Sequence, residues 1–305
     1  MNPLHTTYFK KNKKRIGVIP GYANNSLHRQ IEEGVQLSAK RFADNVEIIT
    51  RWISEPSPKE QLEVIHEMLD KGIDGLAFAP LDDQEINSLM SQLHMEAIPV
   101  VTFNSDILGA KRLCFVGQDH ELAGRVAGEL MGKACDGSGD ILINFGTTQV
   151  YALVQRTTFF KIALNRRYPK NRIVKTVSSY DNEELSYVNV LEELLHNEHI
   201  HGVYSVTSGV GAARAILDAK LPRHIHHVCH DIVPEMREMI EAYPNKHFID
   251  FMIGQHPHKQ GFYAVKILLE YMLLGLNPPK DSIYLPVDIR VRGNAHQEDD
   301  SALLR

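Results

Sequence analysis

Cysteine is scarce in this chain of 305 residues: Cys114, Cys135 and Cys229 are the only three, and no two form a CxxC pair. An odd count cannot pair off completely, which argues against a disulfide scaffold and for a reducing compartment. Long apolar runs are missing as well. The nearest approach to the ~18 uninterrupted apolar residues of a membrane span is "YAVKILLEYMLLGL" (263–276), which carries Lys266 and Glu270. The opening "MNPLHTTYFKKNKKRIGVIPG" has no apolar core of signal-peptide length before its basic run. A cytoplasmic protein with no membrane partner is therefore expected, unless an export signal has been removed. Positive charge is not in excess: 33 Lys and Arg stand against 38 Asp and Glu, for a net charge of −5. The body is thus not a general nucleic-acid binder. A phosphate loop is absent too, since "GSGD" (137–140) lacks the lysine and precedes a strand, so it reads as a turn.

What is present is a soluble composition, 43% hydrophobic and 23% charged, at a length suited to about two domains. Short apolar runs alternate with amphipathic stretches. Strands are expected at 15–21, 45–53, 74–80, 98–104 and 112–118. The pattern then restarts at 139–146, 172–179, 201–208, 226–232 and 247–255, with a last strand at 282–291. Helical spacing of Ile31, Val35, Ala39 and Phe42 marks the first helix. Ser57-Pro58-Lys59-Glu60 is a capping box with proline at the first helical position. Such alternation means parallel sheets covered on both faces. Two similar runs, divided near residue 118, imply two Rossmann-like α/β lobes. An eight-fold barrel is disfavoured by the adjacent strands 98–104 and 112–118, which have no helix between them.

Open α/β sheets bind ligands beyond the carboxyl ends of their strands. That rule selects Tyr22, Asn25 and His28 after the first strand and Asn104 after 98–104. In the second run it selects Tyr151 and Arg156, then Thr207 and Ser208, then Asp231, and last Gln255. Amides, a carboxylate, a guanidinium, hydroxyls and rings suit a neutral polyhydroxylated ligand. No nucleophile and base stand together with a third partner, so a binding protein is expected rather than an enzyme, with no cofactor. Bland roles remain open beside these. Asp231 could cap a turn, Arg156 could form a surface ion pair, Asn25 could cap its helix, and His28 could be an ordinary helix residue. Gln255 could be a hinge residue, and Asp119 either caps the helix at 121 or reaches the ligand. Tyr22 and Tyr151 either stack on the ligand or pack against the fold.

The stretch "RHIHHVCHDIV" (223–233) holds His224, His226, His227 and His230 with Cys229. Strand alternation puts His224, His226 and His230 on one face and His227, Cys229 and Asp231 on the other. Zinc draws its ligands from more than one segment, and "HPH" (256–258) is the only nearby candidate for a second. No metal is expected. The stretch reads as a strand that delivers Asp231, with His230 beside it, to the ligand.

Read in order, "RIGVIPGYANNSLHRQIEEGVQ", "GIDGLAFAP", "IPVVTFNSD", "RLCFVGQDHELAGRVAGELM", "RTTFFKIAL", "VCHDIVPEM" and "IGQHPHKQGFYAVKILL" resemble the type I periplasmic-binding-protein fold. That fold occurs in ribose-binding-like sugar receptors and in the effector domain of LacI-family transcription regulators. The resemblance covers roughly 14–293 and implies a sugar ligand. Asn25 and His28 match ligand-facing positions of the first loop, His28 where relatives often carry an aromatic. Asn104 stands where sugar receptors commonly have aspartate. Arg156 matches the arginine of an Arg-x-x-Gly-Phe pattern, with Phe159 in place of the glycine. Asp231 and Gln255 match the late aspartate and glutamine.

The resemblance implies crossing strands between a first lobe (15–118 with 256–281) and a second (119–255 with 282–293). Residues 1–14 read as a basic linker remnant and 294–305 as a disordered tail. The basic run "FKKNKKR" (9–15) favours the effector module of a LacI-type regulator, acting as a homodimer. Its sugar would close the lobes and so change DNA affinity. DNA would be touched only through a helix-turn-helix headpiece that this sequence lacks. The alternative is an exported sugar receptor of a transport or sensing system.

Overall fold

The structure, a computed structural model, describes residues 13–297. The linker remnant, apart from Lys13 and Lys14, and the tail from 298 onward lie outside the described residues. Within them the chain forms two six-stranded sheets of matching design. The first is built from β1 (Lys14–Ile19), β2 (Val46–Thr50), β3 (Gly75–Phe78), β4 (Val100–Phe103), β5 (Cys114–Gln118) and β11 (Ser282–Leu285), in the order β11-β5-β4-β3-β1-β2. The second is built from β6 (Ser138–Phe145), β7 (Lys170–Ser178), β8 (Ile200–Ser205), β9 (His226–His230), β10 (Phe251–Gly254) and β12 (Asp288–Arg290), in the order β12-β10-β9-β8-β6-β7. All neighbours run parallel except β12, which is antiparallel to β10. Each lobe is the type I periplasmic-binding-protein arrangement.

Helices cover both faces of each sheet, as continuous apolar strands require. In the first lobe α1 (Ser26–Arg41) and α9 (Pro257–Leu274) close one face around Ile31, Val35, Val265 and Leu268. The other face packs α2 (Pro58–Asp70) and α3 (Gln84–Met95) through Ile65, Met68, Leu89 and Leu93. In the second lobe α4 (His120–Ala134) and α5 (Tyr151–Arg167) lie on one side, with Met131 and Phe160 in the core. Opposite them lie α6 (Glu183–His196), α7 (Val210–Ala219) and α8 (Pro234–Ala242), with Leu194, Ile216 and Met236 buried. Each such side chain contributes about 1.5–3 kcal/mol on burial.

Polar residues set the helix starts. Asn25, Ser57, Asp83, Asp119 and Asn182 each accept a backbone N–H of the first turn. Two helix pairs approach backbone to backbone through glycine. A Cβ on Gly34 in α1 would run into the His258 carbonyl at the start of α9, and one on Gly124 in α4 would run into the carbonyl of Arg156 in α5.

The end of the chain differs from the expectation. The single strand expected over 282–291 is two strands, because Pro286 lies between them and has no N–H to give a ladder. β11 pairs with β5 in the first sheet and β12 with β10 in the second. The stretch 282–293, expected wholly in the second lobe, is thus shared. Residues 294–297 are not a loose tail: Ala295 is fully buried in the second core, and the Arg290 guanidinium donates to the carbonyls of Asn294 at 3.0 Å and Gln297 at 3.1 Å. The chain crosses between lobes three times, after β5, after β10 and after β11.

Candidate functional site

The carboxyl ends of both sheets face one cleft, a cavity of about 50 Å³. The first lobe lines it with Tyr22, Asn25 and His28 from the turn and helix after β1, Pro80 and Leu81 after β3, and Asn104 and Ser105 after β4. The second lobe contributes Arg156 from α5, Asp181 after β7, Thr207 after β8, Asp231 after β9 and Gln255 after β10.

On the first side the groups are neutral. Asn25 has both roles its sequence allowed: it lines the cleft, and its side-chain oxygen caps α1 by accepting the His28 N–H at 3.2 Å. His28 is buried, and burial lowers its pKa to about 4. Its Nδ1 accepts the Tyr22 N–H at 2.9 Å, so the ring proton sits on Nε2. Nε2 lies 3.4 Å from the side-chain amide of Asn104, which can turn its oxygen to accept that proton. The Tyr22 ring stands edge-on to the imidazole, 4.9 Å between centroids. Asn104 has φ 59°, a left-handed conformation that asparagine tolerates better than most side chains.

On the second side the groups are charged. Arg156 on α5 is 2% exposed. Its Nη2 donates to Gln255 Oε1 at 3.0 Å and to Gln118 Oε1 at 3.4 Å, and Nη1 donates to the Val206 carbonyl at 3.4 Å. Its Nε is buried without a partner. Gln255 passes the chain on, donating from Nε2 to Asp231 Oδ1 at 2.6 Å. Burial raises the Asp231 carboxyl while Arg156 and Gln255 oppose it. Asp181 rises further, to about 7, through burial and then the nearby carboxylates Asp231 and Glu183. Its Oδ1 is buried without a partner. The cleft therefore offers fixed acceptors, one guanidinium and amides, a set suited to a ligand rich in hydroxyl donors and acceptors.

The two sides touch around the cleft. The Ala152 N–H donates to Ser105 Oγ at 3.4 Å, the Asp82 N–H to the Gln149 carbonyl at 2.7 Å, and Ser26 Oγ bonds the Glu235 carboxylate. At the crossings Gln118 Nε2 donates to the Gly254 carbonyl at 2.9 Å, and Gln260 Nε2 to the Gln255 carbonyl at 2.8 Å. The lobes stand closed on each other.

Of the residues selected from sequence, Tyr22, Asn25, His28, Asn104, Arg156, Thr207, Asp231 and Gln255 meet in this cleft. Four do not line it. Asp119 accepts the Leu122 N–H at 2.9 Å, and it shares a separate groove with Tyr151. Ser208 bonds the Glu183 carboxylate in a side groove that also includes Ser26 and Glu235. His230 is buried beneath the floor, 2.8 Å from the Tyr204 hydroxyl through Nε2. Asp181, Ser105, Pro80 and Leu81 line the cleft without having been selected. Asp181 follows β7, so the strand-end rule would have found it.

The histidine stretch divides. His227 is held inside by the Phe248 carbonyl and Ser205 Oγ, each at 2.9 Å. His224 and His226 lie at the opposite end of β9 from the cleft. With Asp250 they form the one group among the described residues whose His, Cys, Asp or Glu donor atoms lie close enough to share an ion.

Comparison with known proteins places this geometry. A family described as "Periplasmic binding protein domain" matches residues 16–275. A D-ribose/D-allose-binding protein of Pseudomonas aeruginosa is 27% identical over 194 residues, 61% of this chain and 60% of that protein, so the match spans less than two thirds of that relative. A D-allose-binding periplasmic protein of Escherichia coli is 22% identical over 282 residues, 85% of this chain and 84% of that one. Among solved structures, a glucose-galactose binding protein from Geobacillus stearothermophilus superposes with TM-score 0.84 at 21% identity, covering 93% of this chain and 99% of that one.

These findings correct the functional expectation. The relatives are sugar-binding proteins, one of them described as periplasmic, and not DNA-binding transcription regulators. The LacI-type effector module, the DNA partner and the cytoplasmic location are overturned with it, and the homodimer finds no support in these relatives. The fold is shared by receptors and regulators, so the strand-end residues could not separate them.

Proposed function

This chain belongs to the periplasmic binding protein domain family, and from that premise we propose that it is the exported sugar receptor of a transport or sensing system. The reading rests on one observation above all. The buried Arg156–Gln255–Asp231 chain faces the neutral Asn25–His28–Asn104 side across a single closed cleft. A sugar seated there would meet both lobes. It would favour the closed arrangement to the extent that it binds that state better than the open one.

The roles divide by lobe. Asn25, His28 and Asn104 hydrogen-bond ring hydroxyls from the first lobe, and Tyr22 packs against a ring face. Arg156 and Asp231 bind hydroxyls from the second lobe as charged partners, each such bond contributing about 1.5–3 kcal/mol, and Asp181, whose carboxyl keeps its proton up to about pH 7, adds a further hydrogen-bonding group. Several of these and a stacking contact are enough for micromolar affinity, about −8 kcal/mol. Thr207 and Gln255 complete the wall. The first lobe comprises 15–118 with 256–285, and the second 119–255 with 286–297.

The test is a thermal-shift and calorimetric screen against D-ribose, D-allose, D-glucose, D-galactose, other mono- and disaccharides, sugar acids and sugar phosphates. Stabilisation by at least one neutral sugar at micromolar concentration is expected. If no sugar stabilises the folded chain, the receptor reading fails.

A further inference from the structure

We propose that His224, His226 and Asp250 bind a first-row divalent transition metal ion, of the zinc class, at the end of the second sheet remote from the cleft. Two segments distant in sequence supply the donors. His224 and His226 lie at the entry to β9, and Asp250 immediately precedes β10. The β9–β10 pairing brings them together, and backbone bonds fix the carboxylate. The Asp250 N–H donates to the His227 carbonyl at 2.9 Å, and the His227 N–H donates to Asp250 Oδ2 at 2.8 Å.

That bond leaves Oδ1 to face the imidazoles. Asp250 Oδ1 lies 3.5 Å from His226 Nδ1 and 3.6 Å from His224 Nε2. Both separations exceed the roughly 2.9–3.0 Å of an ordinary N–H···O bond. They approach the ~3.3–3.4 Å edge of a tetrahedron whose metal–ligand bonds are about 2.0–2.1 Å. All three donor atoms lie within 4.8 Å of one another. The group is reachable from solvent: the side chains of His224, His226 and Asp250 are 39%, 26% and 24% exposed. The backbone N–H on Oδ2 orients the carboxylate, as hydrogen bonds behind a metal ligand do. The fourth position falls to water or to His247, whose ring centroid is 5.6 Å from that of His224. Two imidazole nitrogens select zinc, nickel, copper or cobalt over magnesium and calcium, which favour all-oxygen sets.

The ion would tie the entry of β9 to the entry of β10, the strands whose far ends carry Asp231 and Gln255. The test uses the full chain after chelator treatment, titrated with Zn2+ by calorimetry and with Co2+ by visible absorption. One Zn2+ per chain and a tetrahedral Co2+ spectrum are expected. The double variant His224→Gln/His226→Gln and the single variant Asp250→Asn should lose more than the roughly 10–100-fold in affinity that an outer-shell change costs. Circular dichroism reports their fold, and unchanged sugar stabilisation would separate this site from the cleft. Zn2+ affinity undiminished in the folded double variant, or no Zn2+ binding by the parent at micromolar concentration, would overturn the proposal.

Discussion

Gln255 stands at the crossing from β10 to α9 and holds the Asp231 carboxylate at 2.6 Å while accepting from Arg156 at 3.0 Å. One amide thus aligns an anion and a cation that are both buried. Gln255→Leu removes the donor and the acceptor together, leaving two buried charged groups short of a partner at about 1–3 kcal/mol. Sugar affinity should fall about tenfold or more, equivalent to roughly 1.4 kcal/mol. Calorimetry and urea melts on the variant measure the two effects separately.

Arg156→Ala removes the one Lys or Arg among the described residues that line the cleft, with Asp231 and Asp181 left behind. The Arg156 guanidinium reaches Asp231 only through Gln255, so stability should drop by about 1–3 kcal/mol for the buried acceptors left unmet, and sugar-induced stabilisation should vanish. Asp231→Asn keeps the shape and suits the φ of 67° at that position, so it should fold well and lose the sugar response. A full sugar response in both variants would remove these residues from the site.

Asp181 gives a pH signature. Its pKa rises from 3.8 to about 7 on folding, so the native chain holds this proton in a window where the unfolded chain has released it. The sign follows: the group's contribution is fully present below about pH 4 and is lost as pH rises to 7, with a ceiling of roughly 4 kcal/mol at 1.36 kcal/mol per unit. Asp181→Asn has no such loss. Its melting temperature relative to the parent should climb between pH 4 and 7 and then level off. A flat difference across that range would remove Asp181 as a buried carboxyl.

Gly124 permits the close approach of α4 to Arg156. Gly124→Ala should push the helices apart, destabilise by about 1–3 kcal/mol as overpacking does, and weaken sugar binding without touching the cleft. Gly275→Ala is its control for added side-chain bulk: a Cβ there meets nothing, although the φ of 66° adds local strain. It should leave sugar affinity unchanged.

The lobes were legible because parallel strands buried on both faces leave continuous apolar runs, and because Ser57-Pro58 and similar caps mark helix starts. The strand-end rule found Asn104, Arg156 and Asp231 for the same reason: topology alone carries side chains there. It brought in Asp119 and Tyr151, which belong to a groove around the corner, because sequence does not show how a helix is rotated as it leaves its strand. Applied to the strand at 172–179 it would also have given Asp181, which went unselected because it lies inside "YDNEEL" and reads as a helix entrance. The shared edge at β11 and β12 depended on Pro286, a break too brief for periodicity to register. The partnership of His224 and His226 with Asp250 spans a helix and a turn, and only strand pairing reveals it.

The three crossings bear on how the chain matures. The first sheet takes its edge strand from Ser282–Leu285, and α1 packs against α9, which ends at Leu274. The first lobe, begun at Lys14, therefore cannot complete its sheet until Leu285 has been made, after every α-helix of the second lobe.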